Sequence, residues 1–268
     1  MIIILIDCKN IANEIKEDVR KMIVGNRSPR LYVIQVGDNP ASNSYINGKK
    51  KDCEEVGIEC ITIKLDENIS EDTLCNLLDL LACEQNCDGI IVQLPLPDHI
   101  RKESVISRIP SEKDVDGFRR DSEYAPCTPL GIIEILKRYV NLTGKDCLII
   151  NRSDIVGKPL VNLLLDEDAT ATIAHSKTQN LKEKIKQADI IITAVGIPNF
   201  ITKDMIMDNK IYIDVSMNKV DGKLCGDISK DAYDSNALIT PVPGGVGLLT
   251  RAMLLKNVLK NYKRNVND

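Results

Sequence analysis

The stretch from Cys147 to Leu165 constrains this chain more than any other. Cys147-Leu148-Ile149-Ile150 is a short apolar run that reads as a buried strand, and a polar turn, Asn151 to Val156, follows it. Pro159, Leu160, Val161, Leu163 and Leu164 then begin a helix, proline being well suited to a first helical turn. In such a strand-turn-helix unit the backbone N–H groups at the helix start face the turn. An anion such as a dinucleotide pyrophosphate fits there, with Arg152 and Lys158 adding positive charge. Only Gly157 stands where a full dinucleotide fingerprint has three glycines, so this stretch taken alone fits an ordinary βα turn equally well.

The same alternation extends over the chain. Helical spacing of apolar residues covers Asn10 to Val24, and a β-rich run from Leu31 to Val36 stops at Gly37-Asp38-Asn39-Pro40. A helix from Ser42 to Val56, a strand from Ile58 to Leu65, a helix from Ser70 to Glu84 with Ser70 as N-cap, and a buried strand from Asp88 to Leu94 follow. A short helix near Arg101 to Arg108 and an irregular stretch from Pro110 to Pro126 lead to a helix over Thr128 to Tyr139. From Asp146 the pattern is Rossmann-like: a strand, the helix to Leu165, strand Thr170 to Ala174, helix Leu181 to Ala188 and strand Asp189 to Val195. Strands Ile211 to Val215 and Leu238 to Thr240 and a last helix from Gly247 to Tyr262 complete it. The expected fold class is α/β, two domains with parallel sheets, and the cleft between them is the expected site, because ligands bind outside the C-terminal edges of such sheets. A length of 268 residues and 43% hydrophobic content support two cores of modest size.

Composition narrows the chemistry. With a net charge of −4 and Lys and Arg interspersed among Asp and Glu, no surface for nucleic acid or an anionic membrane is expected. Nine cysteines without CxxC pairs read as reduced, mostly buried thiols, and with only two histidines beside them no metal site is expected. The apolar run Met1 to Ile6 lacks a basic leader, and no apolar run reaches membrane-spanning length, so a cytoplasmic location is expected.

Two constellations are candidates for a site. At the end of the second Rossmann-like strand, His175-Ser176-Lys177-Thr178 holds no carboxylate to take an adenosine 2′-hydroxyl, and Arg152 and Lys177 suit a 2′-phosphate, which favours NADP over NAD. In the first half, Tyr45 and Lys49 stand four apart on one helix face, Gln93 ends a buried strand in Val92-Gln93-Leu94-Pro95-Leu96-Pro97, and Asp114 and Asp116 lie in a turn-rich loop. Taken singly, each also fits a plainer role, a solvated helix face for Tyr45 and Lys49 and a capped strand edge for Gln93.

Together these motifs form an ordered set. Tyr45-x-x-x-Lys49, Val92-Gln93-Leu94-Pro95-Leu96-Pro97, Lys113-Asp114-Val115-Asp116-Gly117-Phe118 and Pro126-Cys127-Thr128-Pro129 come first. Arg152-Ser153-x-x-Val156-Gly157-Lys158-Pro159 and Thr240-Pro241-Val242-Pro243-Gly244-Gly245-Val246-Gly247 complete it. The set resembles the bifunctional methylenetetrahydrofolate dehydrogenase/methenyltetrahydrofolate cyclohydrolase family over essentially the whole chain. The resemblance implies a folate-binding catalytic domain over 1–125 plus 247–268, a Rossmann-like NADP domain over 126–246, and a final helix that returns to pack on the first domain. It implies a cytoplasmic homodimer acting on tetrahydrofolate one-carbon derivatives, in one-carbon metabolism that serves purine, methionine and histidine synthesis. By the same resemblance Lys49 is the catalytic lysine, Gln93 its hydrogen-bond partner, Tyr45 the aromatic lining of the folate and Asp116 the carboxylate that grips the pterin. Leu94, Pro241, Gly244 and Gly245 line the substrate, and Asn151, Arg152, Ser153, Ser176 and Met217 bind NADP.

The chain also departs from the family pattern. Asn151 replaces a glycine before Arg152-Ser153, Ser216-Met217 replaces Gly-Ile, Leu248-Leu249 replaces Pro-Met, Cys8 replaces a glycine, and the Arg119 to Ala125 segment is shorter than usual. Asparagine tolerates left-handed φ, which is how the phosphate turn is expected to survive at Asn151. In the implied chemistry, hydride loss needs alignment and no strong base, whereas hydrolysis of the methenyl cation needs proton transfer, a task for Lys49 oriented by neutral Gln93 rather than held charged by a carboxylate. A short-chain dehydrogenase also uses Tyr-x-x-x-Lys, but there the pair follows the glycine-rich turn, and here it precedes it. A dehydrogenase with weak or absent cyclohydrolase activity, or a non-catalytic NADP/folate-binding protein, remains an alternative.

Overall fold

The computed structural model describes residues 5–267, Ala41 and Asn267 by backbone alone, so residues 1–4 of the apolar opening run lie outside the described residues. Its elements are α1 (Cys8–Met22), β1 (Arg30–Val36), α2 (Pro40–Val56), β2 (Glu59–Leu65), α3 (Glu71–Ala82), β3 (Gly89–Val92), α4 (Lys102–Ile106) and α5 (Cys127–Tyr139). β4 (Asp146–Ile150), α6 (Gly157–Leu165), β5 (Thr170–Ala174), α7 (Leu181–Gln187), β6 (Ile190–Thr193), β7 (Ile211–Asp214), β8 (Asn218–Val220), β9 (Lys223–Cys225), β10 (Leu238–Ile239) and α8 (Val246–Asn267) follow. The alternation expected from the sequence is present element by element. The hairpin β8–β9 and two short 3-10 turns, Lys203–Met205 and Lys230–Tyr233, were not expected.

The chain divides into two compact units, one of Asn13–Cys127 with Arg251–Asp268, the other of residues up to Ala12 with Thr128–Thr250. In the first, parallel strands are ordered β2-β1-β3. β3 is buried at all four positions, as a strand covered on both faces should be. α3 is fixed at its start by Ser70, whose Oγ accepts the Thr73 N–H at 3.1 Å, and it buries Leu74, Leu78 and Leu81 on one stripe. These residues, with Ile34, Ile90, Val92, Val105 and Ile109, form one core cluster.

α8 belongs to this core for most of its length. Asn257 Nδ2 donates to Val115 O at 2.9 Å, Asn261 Nδ2 to Asp88 O at 3.1 Å, and the buried Tyr262 donates its hydroxyl toward Val24 O and Arg27 O at 3.0 and 2.8 Å. The expected return of the final helix to the first domain is therefore seen in named contacts.

The second unit holds a five-stranded sheet, ordered β10-β7-β6-β4-β5 and parallel throughout. Residues before α1 join it, since Leu5 bridges Ile239 and the Ile6 N–H donates to Ile239 O at 3.0 Å. β4, β6 and β7 contribute Leu148, Ile150, Ile191 and Tyr212 to its core cluster. Leu249, one of the departures, packs on Gly131 of α5, where a Cβ would lie 2.8 Å from the Leu249 Cβ.

Candidate active site and cofactor site

In the first unit α2 and the end of β3 bring the catalytic candidates together. The β1–β3 register pairs Ile34 with Val92, and the Gln93 N–H extends the ladder to Ile34 O at 2.8 Å, so Gln93 leaves the sheet at its C-terminal edge. Its Nε2 donates to Leu94 O at 2.9 Å, which turns Oε1 toward Lys49, and Lys49 Nζ donates to it at 3.3 Å. Ser42 Oγ donates to Leu94 O at 3.5 Å, tying α2 to the same turn. Tyr45, one helical turn before Lys49 and on its face, is half-buried.

Lys49 is only 7% exposed and Asp116 9%. Their charged atoms, Nζ and Oδ2, stand 3.6 Å apart. This corrects the expectation that a neutral partner alone orients the lysine, because the amine is shared between an amide and a carboxylate. The reason lies in the loop that carries Asp116. Ile90 N–H donates to Lys113 O at 2.9 Å, and Val115 packs against Gly89, where a Cβ would fall 2.7 Å from Val115 Cγ2. Gly117 then turns the chain with φ +72°, a conformation that favours glycine, and any Cβ there would lie 2.7 Å from Ala125 and Pro126 backbone.

Asp114 organises the rest of the loop. Burial raises its carboxyl above the ordinary value, against the Arg119 N–H that it accepts at 2.8 Å. Ser122 Oγ donates to Asp114 O, and the Arg119 guanidinium bonds Ser107 O, Ile109 O and Asp121. The short Arg119–Ala125 segment is thus pinned from both sides.

In the second unit the turn after β4 is built by Asn151. Its Oδ1 accepts the Ser153 N–H at 2.8 Å, Ser153 Oγ at 2.7 Å and the Gly157 N–H at 3.0 Å, while Nδ2 donates to Ala194 O at 2.6 Å. Asn151 is not among the described non-glycine residues with positive φ. The turn survives the loss of glycine through this side chain and not through a left-handed backbone, which corrects the sequence expectation.

A second correction concerns the anion site. The Gly157 N–H is taken by Asn151, the Lys158 N–H by Ser153 O at 3.1 Å, and Pro159 has none, so the first-turn donors of α6 are already satisfied. Lys158 is paired with Asp154 at 2.6 Å, and Arg152 is an exposed cation whose guanidinium has no ion-pair partner among the described residues. The β4–β5 register pairs Ile150 with Ala174, so Arg152 and Ser176 follow two residues past paired positions at neighbouring strand ends. A guanidinium, a hydroxyl and Lys177 without a carboxylate in the same turn form a donor set that fits a 2′-phosphate.

Met217 follows β7 and is 49% exposed. Pro241, Gly244 and Gly245 form a tight loop after β10, in which Gly244 has φ +94° and a Cβ on Gly245 would fall on Pro241 O. Two buried carboxylates escaped the reading of the sequence, Asp214 and Asp227. Asp214 accepts the Ile228 N–H at 2.8 Å and the Ser216 N–H at 3.1 Å, and burial raises its carboxyl to about 6. Only the position of Asp214 at the end of an apolar strand hinted at it.

Residues 6–116 match the family model for the tetrahydrofolate dehydrogenase/cyclohydrolase catalytic domain, and residues 126–266 match its NAD(P)-binding domain. The chain belongs to the tetrahydrofolate dehydrogenase/cyclohydrolase family. It is accordingly a bifunctional enzyme with a catalytic and an NAD(P)-binding domain, as relatives across its length agree. It is 44% identical over 276 residues to the bifunctional protein FolD of Lachnoclostridium phytofermentans, covering 97% of this chain and 98% of the relative. The FolD methylenetetrahydrofolate dehydrogenase/cyclohydrolase of Campylobacter jejuni superposes with a TM-score of 0.92 at 41% identity, covering 97% of this chain and 98% of that one. The Trypanosoma brucei dehydrogenase-cyclohydrolase, solved with NADP cofactor and an inhibitor, does so at 0.92 with 33% identity and 99% of each chain.

Proposed function

We propose that Lys49, Gln93, Asp116 and Tyr45 carry both reactions of this tetrahydrofolate dehydrogenase/cyclohydrolase, and that Asn151, Arg152, Ser153, Ser176 and Met217 hold NADP. The enzyme oxidises methylenetetrahydrofolate to methenyltetrahydrofolate and hydrolyses the latter to formyltetrahydrofolate. The observation that carries the assignment is the convergence of Lys49 on Gln93 at 3.3 Å and on Asp116 at 3.6 Å. NADP, when bound, supplies the hydride acceptor. Loss of hydride leaves a charge delocalised between two nitrogens, so this step asks the residues only for alignment, which Tyr45, Leu94 and Asp116 provide. The family resemblance supports Pro241, Gly244 and Gly245 as substrate residues.

Hydrolysis makes a different demand. A water oxygen bonds to the methenyl carbon and loses a proton, and the C–N bond then breaks as its nitrogen gains one. Lys49 moves these protons. When Asp116 turns to the pterin, its hold on Lys49 is shared with the substrate and Gln93 keeps the amine in place. Arg152 beside Ser176 supports NADP over NAD. The folate-binding catalytic domain is centred on the unit of residues 13–127 with 251–268 and the NADP domain on that of residues 128–250, and residues 5–12, expected in the first, join the second. The family resemblance supports a cytoplasmic homodimer that supplies one-carbon units for purine, methionine and histidine synthesis.

The test is one preparation assayed twice, for NADPH absorbance from methylenetetrahydrofolate and for loss of methenyltetrahydrofolate without cofactor. Both activities are expected, with NADP preferred over NAD. Absence of turnover would leave a binding protein, and equal use of NAD would overturn the cofactor assignment.

A further inference from the structure

Asp227 is fully buried in the loop after β9, outside the residues assigned to either reaction. Its Oδ2 accepts Thr193 Oγ1 at 2.9 Å, the Val195 N–H at 2.8 Å and Ser216 Oγ at 2.8 Å. Its Oδ1 accepts the Ile197 N–H at 3.0 Å and Asn218 Nδ2 at 3.3 Å. Ser216 Oγ in turn accepts the Gly196 N–H at 3.1 Å. Three successive amides, those of Val195, Gly196 and Ile197, therefore turn inward on one carboxylate and on a hydroxyl that it holds.

The loops so gathered are not arbitrary. Residues 194–197 follow β6 and residues 215–218 follow β7, adjacent strands whose C-terminal ends form the ligand-binding edge of an open parallel sheet. Met217 sits between Ser216 and Asn218, both bound by Asp227. A buried carboxylate is tolerated only when its hydrogen bonds are filled, and here five donors fill them, so the two loops have one arrangement in which all are satisfied.

We propose that Asp227 is a positioning residue of the cofactor site, which fixes loops 195–197 and 216–218 in the form that receives NADP. The inference rests on the assignment of this sheet edge to NADP. Asp227→Asn keeps the shape but turns an N–H toward donors, and Ser216→Ala cuts only the link between the loops.

Each variant and the parent would be titrated with NADPH by its fluorescence, and assayed for dehydrogenase KM and kcat and for cofactor-free hydrolysis of methenyltetrahydrofolate. Asp227→Asn should weaken NADPH binding and raise the KM for NADP by about tenfold or more, the weight of a hydrogen bond to a charged group, while hydrolysis stays within about twofold of the parent. Ser216→Ala should give a smaller rise in the same direction. Unchanged NADPH binding in both variants would overturn the proposal, as would a fall in both activities by one factor in Ser216→Ala with its melting temperature lowered. If Asp227→Asn fails to fold, Ser216→Ala alone decides between these outcomes. A parent that binds no NADPH would overturn the cofactor reading itself, and the proposal with it.

Discussion

Lys49 has two partners of opposite character, and they make unequal demands on its two reactions. Hydride transfer needs the lysine only as part of the wall, whereas hydrolysis needs its titrating nitrogen. Lys49→Met keeps the apolar stem, so cyclohydrolase activity should fall by roughly two to four orders of magnitude and dehydrogenase activity by much less. Both rates measured on one preparation check this, and a near-parental cyclohydrolase would remove Lys49 from the chemistry. Arg152 lends itself to an equally sharp comparison because no described carboxylate competes for it. Arg152→Ala should cost NADP binding about 1.5–3 kcal/mol and leave NAD binding almost untouched, and equal losses for both cofactors would refute a 2′-phosphate contact. The spacing of Tyr45 and Lys49 was legible because a helix puts every fourth residue on one face. The contact of Lys49 with Asp116 was not, since nothing local in the sequence measures a distance between a helix and a loop.

Among the elements, α6 shows how a helix start can be rebuilt around one substitution. Gly157 is pressed against Asn151, and a Cβ there would fall on the Asn151 carbonyl and lie 2.8 Å from its Oδ1. Gly157→Ala should destabilise the protein by roughly 1–3 kcal/mol in urea unfolding, as overpacking against backbone does, and weaken NADPH binding in the same variant. Unchanged stability would mean that the turn yields. Strands and helices could be read from the sequence wherever burial imposed an unbroken apolar run, as for β3 and β4, or a helical period, as for α3. The hairpin β8–β9 could not, because its strands are short and mostly exposed and show no apolar alternation. Its turn was marked all the same by Asp221-Gly222, with φ values of 49° and 78°, the conformation that an Asp-Gly hairpin turn prefers.

At the scale of the whole molecule, stability against pH carries the signature of Asp214. Burial raises this carboxyl to about 6, with Asp227 adding repulsion and the Ile228, Asp227 and Ser216 N–H groups opposing. The folded state therefore binds a proton more tightly than the unfolded chain. The stability from this group is fully present below about pH 4 and is lost as pH rises through about 6, by roughly 3 kcal/mol. Asp214→Asn lacks the titration, so the stability difference between variant and parent should shift in favour of the variant from pH 4.5 to about 7.5, and parallel curves would contradict the argument. The connectivity of the chain has a consequence of another kind. The unit that bears Lys49 needs α8, whose Asn257, Asn261 and Tyr262 bond the backbone of residues 24–115, yet α8 is translated only after every strand of the cofactor-binding sheet. On the ribosome the cofactor-binding sheet can close while the catalytic half still waits, and a message cut short before α8 would yield a nascent chain with its catalytic core left open to chaperones and proteases.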